Sequence, residues 1–304
     1  MVLSYIKLAL GPILWGGALV AGRVVTADLP PVTITWIRFA VVSLILLPVL
    51  RLRTGGLPRP TRRDLLFLVA LSVVGVVVFN LLLLTGLKTV TAVRSSVIIA
   101  LAPSVVALLL VSVFRERSTW NTVVGIALAF VGASVTITTG NPARVLAGGI
   151  SVGDAYLLGC VLSWSLYTIL ARYAMRRLSS LTVLAYSSTM GAVFLTPVAA
   201  RGDIASELAG ATPATWVALA YLSLAAAGVA YLLYYEGIRE VGPNRAAVFL
   251  NLEPVSAIVL GVVILGERLS VPLFVGATLV IFGLYMVNRR QGMSMPRLST
   301  PRDA

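Results

Sequence analysis

The sequence predicts an all-α integral membrane protein: ten transmembrane helices in two inverted five-helix repeats, with the N- and C-termini cytoplasmic. Three observations predict it. Apolar stretches long enough to cross a bilayer recur ten times. Lys and Arg crowd every second connection. The second half of the chain also repeats the first at a nearly constant offset.

Composition bounds the class. Of 304 residues, 59% are hydrophobic and only 12% are charged, and the mean hydropathy is +0.98. A soluble chain carries roughly 25% charged residues, so there is too little polar surface here to cover a globule in water. The net charge of +13 is nearly all Arg in short loops between apolar runs. That placement is a topology signal, not a basic face that follows a phosphate backbone. The lipid bilayer is therefore the expected partner, and nucleic acid is not. The one cysteine, Cys160, lies in an apolar run and reads as a small buried residue. With one Cys and no His, an intramolecular disulfide and a Cys/His metal site are both excluded. No metal and no cofactor are expected.

In chain order the spans are expected at 3–25, 32–50, 65–87, 92–114, 121–139, 153–173, 181–200, 216–238, 245–266 and 271–288. Each break that carries turn chemistry is short: Asp28-Leu29-Pro30-Pro31, Gly55-Gly56-Leu57-Pro58, Gly140-Asn141-Pro142, Ala211-Thr212-Pro213 and Gly242-Pro243-Asn244. The first span begins near Lys7 and then runs apolar, as a signal peptide does. It lacks a small-x-small cleavage site and has a counterpart further along the chain, so it is expected to stay as the first helix.

Orientation follows from the cations. With the N-terminus inside, 17 of the 24 Lys and Arg residues fall on the cytoplasmic side, among them Arg51, Arg53, Arg59, Arg62 and Arg63. Six fall outside (Arg23, Lys88, Arg94, Arg144, Arg201 and Arg268), and Arg38 lies within a span. This bias places both termini inside.

The repeat is read without gaps. Residues 90–138 align with 241–289 at an offset of 151: Arg94 meets Arg245, Pro103 meets Pro254, Glu116-Arg117 meets Glu267-Arg268, and Gly132 meets Gly283. At an offset of 149, Trp15 meets Trp164, Arg23 meets Arg172, and Pro48 meets Pro197. The expected organisation is a first repeat at 1–140, a second at 141–290, and a cytoplasmic tail at 291–304. Five spans per half is an odd number, so the halves must insert with opposite orientation. Secondary transporters are commonly built from such inverted repeats. Duplication can also be no more than a way to build a large membrane protein.

These residues carry a family resemblance over positions 1 to about 290. Leu14-Trp15-Gly16, Arg38-Phe39, Leu252-Glu253-Pro254 and Gly266-Glu267-Arg268 resemble the drug/metabolite transporter superfamily, in its EamA-type ten-helix branch. Within it, the overall length and pattern resemble the bacterial aromatic-amino-acid exporters. The resemblance implies a central cavity lined by both halves, a multi-pass place in the bacterial inner membrane, and export of amino acids or related metabolites. The first half departs from symmetry at Ala102, which stands where Glu253 stands in the second.

Polar and ionisable side chains inside a membrane are costly and usually have a partner or a task. Trp15, Asn80, Trp164, Tyr231, Asn251 and Glu253 fall at similar depth on five spans, the arrangement expected of a midplane substrate site. Trp normally prefers the interface, so Trp15 and Trp164 at mid-depth point either to a cavity that stacks a ring or covers an ammonium, or to packing against Gly16 and Gly17. Asn80, Asn251 and Tyr231 can serve a zwitterion or bond between helices. Tyr167 lies about one turn from Trp164 and shares its face. Tyr234 and Tyr235 read as interface aromatics. Glu253 precedes Pro254, which loosens its helix; the carboxylate can bind an ammonium or brace the kink. Pro103 is expected to kink the fourth span in the same way. Arg38 can snorkel outward, attract a substrate carboxylate or brace a helix, and is placed with Pro103 and Pro254 among gating or structural residues. Glu116-Arg117 and Glu267-Arg268 are expected as hairpin anchors or gates.

A secondary transporter or facilitator exporting amino acids, aromatic and other neutral ones favoured, is thus the leading reading. Export of another metabolite or a cationic drug, and a passive channel, are the alternatives. A membrane enzyme is not expected: there is no His, and Asp28, Asp64, Asp154, Asp203 and Asp303 all lie near loops or tails. No GxxxxGK[ST] loop is present to bind ATP. The chain is expected as a monomer or homodimer; Gly125, Ala129 and Ala133 would allow close helix packing within or between chains.

Overall fold

The structure is a computed structural model that describes residues 2–113, 115, 118–141, 150–241, 246 and 249–291. The described residues are helical, without a strand. In order they form α1 (Val2–Asp28), α2 (Pro31–Thr54), α3 (Arg62–Leu87), α4 (Ala92–Ser112), α5 (Trp120–Thr138), α6 (Val152–Ala174) and α7 (Ser180–Ala199). A short helix, Ile204–Ala209, precedes α8, which runs through Pro213–Ala220, Tyr221–Val229 and Ala230–Val241. Then come α9 (Leu252–Leu265) and α10 (Val271–Gln291). Among the described residues, eight helices are long and apolar enough to cross a membrane, and the shorter Leu252–Leu265 and Val271–Val287 are apolar too. The Glu116-Arg117 pair, Arg245, the turn at Gly242-Pro243-Asn244 and positions 292–304 of the tail lie outside the described residues.

The starts of α2 to α8 have local causes. Thr61 and Asp64 form a reciprocal capping box at α3, and Ser151 and Asp154 do the same at α6. Thr91, Thr119, Ser179 and Thr212 cap α4, α5, α7 and α8 by accepting a backbone N–H. Pro31 and Pro213 sit in first turns, where no N–H donor is needed.

Four helices are interrupted. In α3 and α8 the segments Ser72–Val78 and Tyr221–Val229 are π-helical, and they fall at corresponding places in the repeat. The chain turns at Ala100–Leu101 inside α4 and at Leu250–Asn251 before α9. Pro103 and Pro254 follow these turns by two or three residues, seated in the first turn of the helix that restarts. The ninth span, expected as one run over 245–266, is therefore broken, and its regular part starts at Leu252.

Packing interleaves the two halves. Helix α1 lies against α8 and α9, α6 lies against α3 and α4, and α2 pairs with α7, α4 with α9, and α5 with α10. The small residues of α5 are used inside the chain: a Cβ added at Gly125 would approach the Gly283 carbonyl to 2.7 Å, and one at Gly132 would approach that of Gly276 to 2.6 Å. The largest buried apolar cluster runs through both halves, from Leu19 and Val25 through Leu84 and Ile98 to Leu157 and Ala257.

Candidate functional site

Polar side chains donate to backbone carbonyls of the π-helical segments. In the π-helical part of α3, Asn80 Nδ2 donates to the Val76 carbonyl at 2.8 Å and to that of Gly75 at 3.3 Å. Ser163 on α6 donates to the Val74 carbonyl at 2.7 Å. In the π-helical part of α8, Trp15 Nε1 donates to the Ala226 carbonyl at 3.0 Å. Each widened segment is thus held by a donor from a helix of the other half.

Between these segments lies a small cavity of about 50 Å³, well below the 300–1,000 Å³ range of small-molecule sites. Arg38, Asn80, Trp164, Tyr167 and Tyr231 line it, together with Ser187 and Ser188 of α7. Its aromatic wall is continuous. The Phe79 and Trp164 rings are 4.8 Å apart, and the Trp164 and Tyr167 rings stack at 5.1 Å. Across the site, Trp15 meets Tyr231 edge-on at 5.0 Å and Tyr234 at 5.2 Å. The Arg38 guanidinium donates to Asn80 Oδ1 at 3.0 Å and sits 5.4 Å from the Phe39 ring.

Five of the residues marked in the sequence therefore line one cavity: Asn80, Trp164, Tyr167, Tyr231 and Arg38. Trp15 supports Tyr231 from behind. Asn251 and Glu253 do not line it. Asn251 Oδ1 is shut from solvent with no donor among the described residues. Glu253 lies where α9 restarts, its backbone carbonyl accepting from Ser256 at 2.9 Å and pressed against Gly16 of α1. Tyr234, expected at the interface, is turned inward onto Trp15. Phe79, Ser187 and Ser188 were not marked from the sequence. One signal was there for the serines: Ser187 stands at the offset of 149 from Arg38.

Both ends of the bundle are tied across the halves. At one end, the Glu267 carboxylate accepts the Ala92 and Val93 amides at 2.7 and 2.8 Å, and Arg94 pairs with Asp154. Asp28 accepts from Thr212 and Thr215 there, and Thr33 donates to Glu207 at 2.6 Å. At the other end, Lys7 pairs with Glu236 at 2.9 Å and with Glu240 at 3.3 Å, while Arg177 Nε meets Asp64 at 3.2 Å. A Ser4 hydroxyl, and after it Lys7, hold the Glu240 carboxyl below the usual glutamate range.

The chain is similar to known proteins along nearly its whole length. The model of the EamA-like transporter family matches residues 2–138 and again 151–289. An uncharacterized transporter of Bacillus subtilis, YetK, is 26% identical over 96% of this chain and 89% of its own. A probable terminal-alkyne amino-acid exporter of Streptantibioticus cattleyicolor is 31% identical over 81% of this chain and 80% of its own. A solved crystal structure superposes with a TM-score of 0.61 at 18% identity, over 96% of this chain and 99% of that one. At that identity the likeness is one of fold.

Proposed function

This chain belongs to the EamA-like transporter family, and we propose that it is a secondary transporter exporting amino acids, aromatic and other neutral ones first, across the bacterial inner membrane. In this reading the chain crosses the membrane ten times. Residues 1–140 and 141–290 form the inverted halves, with both termini inside. The family and its relatives make the chain a multi-pass membrane transporter; the substrate, the membrane and the crossing count are the proposal.

The observation that carries it is the mid-depth cavity. An aromatic wall of Phe79, Trp164 and Tyr167 faces a polar edge of Arg38, Asn80 and Tyr231, contributed by both halves. That pairing suits a solute with an apolar ring at one end and a charged group at the other; at about 50 Å³ the cavity has to widen to admit it. The exporter from Streptantibioticus cattleyicolor supports the substrate class. Alternating access would loosen the ties at one end of the bundle while those at the other hold. The interrupted helices α3, α4, α8 and α9 can bend where their ladders are already broken.

The test is efflux from liposomes loaded with labelled phenylalanine and reconstituted with the full chain. Saturable efflux, accelerated by unlabelled amino acid outside and lost in Trp164→Ala, is expected. Efflux that rises linearly with concentration would mean a channel. No efflux of any amino acid, with or without a pH gradient, would end the amino-acid assignment.

A further inference from the structure

Arg38 lies inside α2, well within a membrane-spanning segment, yet no carboxylate pairs with it among the described residues. A cation at that depth is expensive unless something answers its charge. Asn80 takes one Nη1 hydrogen bond but carries no charge. The Arg38 Nε–H is shut from solvent and has no acceptor. Helix α7 packs on α2 and brings a second unused donor to the same cavity. Ser188 is 1% exposed, and its Oγ is also without a partner. Its neighbours behave differently: Ser187 and Thr189 return their hydroxyls to the Leu184 and Ala185 carbonyls of their own helix. Buried donors without acceptors are rare in native structures. Two in one cavity, one of them cationic, are complementary to an oxyanion.

We infer that Arg38 and Ser188 form a seat for the carboxylate of the transported solute, at the crossing of α2 and α7. The inference rests on the transporter reading above and deepens it. With the carboxylate at Arg38, the solute's side chain lies along Phe79, Trp164 and Tyr167. Asn80 is then a positioning residue: it braces Arg38 through Oδ1 while its Nδ2 is spent on the α3 carbonyls. The repeat accounts for the asymmetry of the seat. Arg38 and Ser187 stand at equivalent positions, 149 residues apart, so one half supplies the charge and the other the hydroxyls.

The experiment is a calorimetric titration of the purified full-length protein with phenylalanine, 3-phenylpropionate and phenylalaninamide. In the wild type, both carboxylates are expected to bind about tenfold or more tighter than the amide, since a charge-assisted pair is lost without the carboxylate. Arg38→Lys and Ser188→Ala should each narrow that gap to about threefold or less, weakening carboxylate binding more than amide binding. Equal binding of acid and amide by the wild type overturns the seat and needs no variant to fold. An undiminished gap in both variants overturns it as well, as does failure of either carboxylate to bind. Binding of 3-phenylpropionate without export of any amino acid would leave the seat standing and sink the amino-acid reading. Export of phenylalanine and its amide at equal rates would do the reverse.

Discussion

Arg94 on α4 grips Asp154 on α6 with two hydrogen bonds, Nε to Oδ1 at 2.9 Å and Nη2 to Oδ2 at 2.6 Å. The Asp154 side chain is fully buried, and Oδ2 also closes the Ser151 capping box. One carboxylate therefore starts α6 and ties it to the other half of the chain. Asp154→Asn leaves the Arg94 charge partly buried without its counterion. Breaking a buried pair from one side costs about 3–5 kcal/mol. Thermal unfolding of the detergent-solubilised protein should show a large drop in midpoint for Asp154→Asn. A shift of under a degree would mean that the pair contributes nothing to holding the halves.

Glu267 acts as a cap supplied from a distant helix. Its carboxylate sits at the N-terminus of α4, where the first amides lack partners and the helix dipole favours negative charge. Glu267→Gln removes the charge and leaves one amide acceptor for two N–H groups. Hydrogen exchange in a peptide covering Ala92 and Val93 should speed up about tenfold, equivalent to about 1.4 kcal/mol. Unchanged exchange would show that other contacts hold this end.

Gly16 and Gly75 both face close neighbours, but of different kinds. A Cβ at Gly16 would come within 2.5 Å of the Glu253 carbonyl and 2.8 Å of the Ala257 nitrogen, both backbone. A Cβ at Gly75 would meet the ring of Tyr167. Gly75→Ala should abolish efflux, and adding Tyr167→Ser should restore much of its stability, because a side chain can be shortened. Gly16→Ala should cost about 1–3 kcal/mol through overpacking, with no rescue by Ser256→Ala. Rescue of both, measured by the unfolding midpoint, would contradict the stated geometry.

Trp15 ties α1 to the π-helical part of α8 through one N–H. Trp15→Phe keeps the ring contact with Tyr231 and removes the donor to the Ala226 carbonyl. The expected loss is about 1–3 kcal/mol for an orphaned buried carbonyl, with exchange rising in the segment 226–231. No change in exchange there would mean that the π-helical turn stands without the indole.

Much of the architecture is legible because it is local. A span is a run of apolar residues, and a cap is a Ser or Thr followed three residues later by Asp, as at Thr61 and Asp64 or Ser151 and Asp154. A topology signal is an Arg in a loop. None of these needs a distant contact, so the eight long apolar helices and the interruptions near Pro103 and Pro254 can be read directly. Depth is legible too, since it follows from counting along a span. Asn80, Trp164 and Tyr231 were marked on that basis, and they share a cavity.

Rotation about the helix axis is another matter. Spans that are apolar on every face carry little periodic signal, so the sequence does not say which side chain turns inward. By itself the sequence determined that this chain is helical, membrane-embedded and internally repeated, because length, charge placement and self-similarity are properties of the chain alone. Only the tertiary structure decided that Arg38 faces Asn80 and shares a cavity with Ser188, that Tyr234 turns onto Trp15, and that the Glu253 carbonyl lies against Gly16 outside the cavity. Those relationships join residues up to about 240 positions apart, and they depend on which faces the interleaved helices bury against one another.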